Sequence, residues 1–183
     1  MNTLVLKNNK ISISTQAFAT LMAIVGAIAV PQLFHLIGRF TGLGTSLGGA
    51  FLPMHLPIIL VGLLAGPYAG AIAGVLSPLV SYLLTGMPYV ASLPFMMVEV
   101  CFYGLSAGLL RTAKAPVIGK VVISQVAGRV FRAVAVIIAV YGFSSQATSL
   151  ASLVKSIPEG IMGLALQWIT LPLIVKYVES KRK

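Results

Sequence analysis

Six long apolar runs, separated by glycine, proline and short polar punctuation, leave this chain of 183 residues little choice of fold. A helix needs about 20 apolar residues to cross the hydrocarbon of a bilayer, and its backbone N–H and C=O groups must pair within the segment because no water reaches them. The runs 15–37, 51–64, 68–84, 91–110, 117–141 and 158–177 meet or approach that length, the second being the short one. The sequence therefore predicts an all-α integral membrane protein, with six transmembrane helices in a single domain over residues 1–183 and no internal repeat. Only residues 65–67 join the second run to the third, which makes the two a tight antiparallel hairpin. No convincing small-residue cleavage signal follows the first run, so it reads as a retained helix and not as a signal peptide.

Charge supports this reading and excludes others. The chain is 58% hydrophobic and 9% charged, with a mean hydropathy of +1.00. Its net charge of +10 would suggest nucleic acid in a soluble protein, but here the basic residues fall between and after the apolar runs, where they report topology. Lys7, Lys10, Arg111, Lys114, Lys120, Lys176, Lys181, Arg182 and Lys183 fall on one side, against Arg39 and Lys155 on the other. The positive-inside rule places both termini in the cytoplasm of a multi-pass cell-membrane protein. The connections 38–50, 85–90 and 142–157 then face outward, and the first, glycine-rich, is either a lid or a plain linker. There is no aspartate, and Glu99, Glu159 and Glu179 are the only acids, so paired acidic ligands for magnesium are hard to assemble; no phosphate-binding G-x-x-x-x-G-K-[ST] loop exists. The chain is not expected to hydrolyse ATP or act as an enzyme. One cysteine, Cys101, permits no intramolecular disulfide, and His35 and His55 lack metal-ligand spacing; neither a metal nor another cofactor is expected.

Polar residues inside the spans carry the functional signal. In QVAGRVFRAVAVII, Arg129 and Arg132 lie three apart on one helix face, and Gln125 extends that stripe. An arginine at the centre of a span costs about 2.5–3.5 kcal/mol and therefore faces a protein interior or a wet cavity. Glu99 is the one deep acid, at the depth of Arg132, and the two form a natural pair. Ser92, Tyr103 and Ser106 share the Glu99 face, while Gly160, Gly163, Gln167 and Thr170 give the sixth span a small and polar stripe. These groups either satisfy one another or, since one glutamate cannot neutralise two arginines, line a cavity completed by a solute, water or lipid headgroup. In LPMHLPII, Pro57 interrupts the helical ladder, and His55 points either into that cavity or to the outer interface. Tyr89 is either interfacial or stacked on a ring, and Trp168 reads as packing. Ala19, Ala23 and Ala27 recur every four residues and admit another helix closely, from this chain or a partner; Gly70, Gly74 and Ser77 do the same, most simply for the hairpin.

The segment FLPMHLPIILVGLLAGPYAGAIAGVLSPLVSYLLTGMP, with PFMMVEVCFYGLSAGLL, AGRVFRAV and SIPEGIMGLALQWITLPLIV, resembles the substrate-binding S components of energy-coupling factor vitamin transporters, of the group II type. The resemblance covers most of the chain in order. It implies that a small water-soluble vitamin is captured from outside, and that a transmembrane coupling protein and two cytoplasmic ATPases drive its delivery. It further implies that Ala19, Ala23 and Ala27 dock on the coupling protein, although the family's paired alanines are interrupted here by Phe18. Glu99 resembles the fourth-helix glutamate that grips an aminopyrimidine, which favours hydroxymethylpyrimidine or a pyridoxine-like ring; Arg129 and Arg132 holding a carboxylate would favour pantothenate. The substrate-binding set is then Glu99, Arg129, Arg132, His55, Tyr103, Gln125, Gln167 and Tyr89. The competing classes are a self-contained secondary transporter using Glu99 for protons, an intramembrane lipid enzyme, and a structural subunit.

Overall fold

The computed structural model describes residues 11–44, 46–144 and 148–181, apart from the side chains of 156, 157 and 159. Within these the chain is helical: α1 (Ile13–Phe40), α2 (Ser46–Phe51), α3 (His55–Ala65), α4 (Pro67–Thr85), α5 (Leu93–Leu109), α6 (Val117–Ile137), α7 (Leu150–Glu159) and α8 (Ile161–Ser180). Five segments are long and apolar enough to cross a bilayer: α1, α2 with α3, α4, α6 with the π-helical turn Ile138–Gly142, and α8. The 17-residue α5 is a shorter apolar helix, packed against α3, α4 and α6. This is a multi-pass membrane protein. Lys7, Lys10, Arg182 and Lys183, which the topology reading used, lie outside the described residues.

The helices start and stop where local chemistry dictates. Ser12 caps α1 by accepting a hydrogen bond from the Thr15 backbone N–H at 3.2 Å. The expected α3–α4 hairpin turns at Gly66, whose φ of 110° only glycine adopts freely, and Pro67 then opens α4 at a position that needs no N–H donor. Lys120, fully buried, donates from Nζ to the Arg111 carbonyl at 2.8 Å and ties the α5–α6 connection to α6.

Small residues set the packing. A Cβ at Gly70 or Gly74 of α4 would overlap the α5 backbone, and one at Gly104 would overlap α4. These glycines therefore bring α4 against α5, and not against its hairpin partner α3 as the sequence suggested. The inner core beside this crossing joins Ile59, Leu63, Tyr103, Ala107, Val121, Leu171 and Val175.

Three features differ from the sequence expectations, and one choice left open is narrowed. The second span is two helices, broken at residues 52–54 and not kinked at Pro57, because Pro57 sits in the first turn of α3, where its missing N–H disrupts no ladder bond. The connection 38–50 holds α2, so it is partly helical. The connection 142–157 holds most of α7, and the last span begins only at Ile161. Ala23 and Ala27, read as docking residues, are buried at 7% and 0% exposure among Met54, Ile58, Val61, Ala69 and Ala73 of their own chain, and only Ala19 of the three is partly open. Alanine spacing sets how closely a helix can approach but not which helix does so.

Candidate functional site

A cavity of about 450 Å³ opens at the end of the bundle where α1 and α4 finish and α5 begins, opposite the end carrying Arg111 and Lys120. That volume lies in the range of small-molecule sites. α1 contributes Pro31, Gln32 and His35, and the broken second span contributes Gly48, Gly49 and Leu52–His55. The α4–α5 connection supplies Met87, Pro88 and Tyr89, and Ser81, Ser92 and Met96 complete the sides. Glu99, Arg129 and Arg132 line it from α5 and α6.

The deep end is an ordered polar cluster. Arg132 Nη1 donates to Glu99 Oε2 at 2.8 Å, the pair expected from their common depth. Tyr103 Oη donates to the other oxygen, Oε1, at 2.7 Å, one helical turn along α5. Glu99 is only 2% exposed, so both its oxygens are engaged where a lone carboxylate would be costly. α6 lies flat on this cluster because Gly128 has no side chain: a Cβ there would strike the Tyr103 ring. His55, 3% exposed, meets the same ring edge-on at a centroid distance of 4.9 Å.

Several residues that line the cavity carry a buried polar atom with no hydrogen-bond partner among the described residues: Gln32 Nε2, His35 Nδ1, His55 Nδ1 and Arg132 Nε. The amide and guanidinium nitrogens can only donate, and buried donors without partners are rare in folded proteins. Arg129 lines the cavity where α7 meets α8, its Nη2 lying 3.1 Å from where a Gly160 Cβ would stand.

Five of the eight sequence-named binding residues thus come together at the cavity: Glu99, Arg129, Arg132, His55 and Tyr89. Tyr103, Gln125 and Gln167 do not line it. Tyr103 stands behind Glu99, while Gln125 and Gln167 bond one another across α6 and α8 at 2.9 Å. Trp168 does more than pack, since its indole N–H donates to Gln125 Oε1 at 2.7 Å. Sequence reasoning passed over Gln32, His35 and Ser81. The spacing of three between Gln32 and His35, at the outer end of an apolar span, was the available signal.

A membrane-spanning helical bundle with a polar-ended cavity open at one face belongs to the class of membrane proteins that bind a solute within the bilayer. Residues 12–175 match the family described as the ECF transporter substrate-specific component, and the chain belongs to that family. No curated protein and no solved structure matches it. Membership makes the chain the substrate-specific subunit of a transporter, and not itself a catalyst.

Proposed function

We propose that this subunit captures a small water-soluble vitamin or vitamin precursor from the outer side, and delivers it inward with a transmembrane coupling protein and two cytoplasmic ATPases. The observation carrying this reading is the 450 Å³ cavity with buried, unpartnered nitrogens on residues that line it, in a chain of this family. The outer assignment follows from the positive-inside rule, which puts Arg111, Lys114 and Lys176 on the opposite side. Of the alanine stripe, Ala19 alone is open enough to meet the coupling protein, and it lies towards the end of α1 away from the cavity.

Solute chemistry follows from what is left unpaired. Glu99 already accepts from Arg132 and Tyr103, whereas Gln32 Nε2 and Arg132 Nε lack acceptors. Arg129 and Arg132 both line the cavity, with Glu99 the one acid among the lining residues, and a guanidinium binds a carboxylate best, which supports an acid such as pantothenate. A second reading, a hydroxymethylpyrimidine or pyridoxine-like ring, is favoured by the walls of Met54, Met87, Met96 and Tyr89, since thioether sulfur packs well on flat rings. Calorimetry on the purified chain with pantothenate, hydroxymethylpyrimidine, pyridoxine, thiamin and folate tests both. Pantothenate binding is expected; binding of either ring compound instead selects the second reading, and silence from folded protein across the panel overturns vitamin capture.

A further inference from the structure

Leu52 stands at the break between α2 and α3, in the stretch that lines the cavity with Gly48, Gly49 and Leu52–His55. Its φ is +46°, a left-handed conformation that a bulky L-residue holds only when its surroundings impose it. Those surroundings are one face of α8. A Cβ at Gly160 would stand 2.7 Å from Leu52 Cδ1, and one at Gly163 would stand 3.0 Å from the Leu52 backbone N. One turn further, Gln167 Nε2 donates to the Leu52 carbonyl at 3.3 Å, beside the bond which that same carbonyl accepts from the His55 N–H at 3.1 Å.

Gln167 is itself fixed. It is 1% exposed, its Oε1 accepts from Gln125 Nε2 at 2.9 Å, and Gln125 Oε1 accepts from Trp168 Nε1 at 2.7 Å. A buried amide in a membrane protein is costly unless both ends are bonded, and here the donor end is spent on an irregular backbone carbonyl. An apolar residue would pack at this position with no such requirement. The polarity of Gln167 is therefore accounted for by Leu52 at its donor end and Gln125 at its acceptor end, and not by a solute, because neither glutamine lines the cavity.

We propose that Gln167 is a positioning residue which, with Gly160 and Gly163, holds Leu52 in its left-handed conformation and thereby sets the Gly48–His55 wall without touching the bound solute. This goes beyond the capture reading and stands whatever the solute is.

The test reads cavity geometry without a ligand. Ser81 lines the cavity at 2% exposure, so Ser81→Cys in a Cys101→Ser background gives one thiol there, and its modification by a membrane-impermeant methanethiosulfonate is timed in nanodiscs. Gln167→Met keeps the volume and removes both the donor to Leu52 and the acceptor for Gln125 Nε2, and is expected to speed modification about fivefold, the factor corresponding to loss of the hydrogen bond that reaches Leu52. Gly163→Ala, which pushes on the Phe51–Leu52 backbone from the same face, is expected to do the same, and gives the answer alone if the methionine variant fails to fold. Leu171→Ala is the control: it truncates a fully buried core side chain one turn further along α8 and should leave the rate unchanged. Unchanged rates in Gln167→Met and Gly163→Ala overturn the proposal. Equal acceleration in Leu171→Ala also overturns it, because the effect would then be general loosening.

Discussion

Where Gly70 and Gly74 meet α5, the bundle's backbones touch and its side chains are apolar; where the same α4 and α5 run on past Ser81 and Glu99, they part around a cavity walled by broken helices. The difference lies in what each half asks of its helices. Close approach needs uninterrupted helices with glycine on the facing sides, because lipid provides no hydrophobic force between them and packing must supply the attraction. The outer half gives up that contact. The second span breaks at 52–54 and the α4–α5 connection lines the cavity with Met87, Pro88 and Tyr89, so irregular backbone and polar side chains border the opening. Irregular backbone at this depth is tolerated where it lines a cavity or is buried in protein.

If the inner crossing is the part that must not give, Gly104→Leu is the most damaging change, since no side chain fits against Gly70. It should abolish folded, monodisperse protein on size exclusion. Glu99→Gln comes next: it leaves the Arg132 guanidinium without its counter-charge, and is expected to lower stability by about 3–5 kcal/mol, measured as thermal unfolding in detergent. A second change, Arg132→Met, should recover part of that loss; no recovery would mean that Arg132 answers to something other than Glu99. Ala27→Leu forces bulk into a fully buried contact and should cost about 1–3 kcal/mol. The partly open Ala19→Leu should instead leave stability within about 0.5 kcal/mol while lowering transport in vesicles holding the full assembly. Equal losses at the two alanines would remove the distinction drawn between them. Met96→Leu in the cavity wall, a near-isosteric swap, is expected to cost under about 1.5 kcal/mol and to change solute affinity more than melting temperature.

How much of this was legible depended on whether a feature is local. Span positions follow from apolar length, and the Glu99–Arg132 pair follows from equal depth, so both could be read from the chain. The facing of Gln125 and Gln167 could be suspected, yet their partners could not. Whether a buried amide looks into a cavity or at a backbone carbonyl depends on where the second span breaks. Pro57 suggested the wrong place, because a proline opening a helix looks in sequence like one interrupting it. The alanine stripe was open in the same way, since Ala23 and Ala27 suit any closely approaching helix and the chain's own reaches them. The ten-residue α7 is amphipathic and too short to register as a span, which hid it within a connection.

The chain has a single tryptophan, and it is bonded to the chain of amides that ends on the cavity wall. Indole emission depends on what its N–H meets, so the unlabelled protein carries its own optical probe: a solute that shifts Leu52 alters the colour or yield of Trp168 light without touching the ring. Titrations of the native chain can therefore follow wall movement and solute uptake as two signals, fluorescence for one and heat for the other.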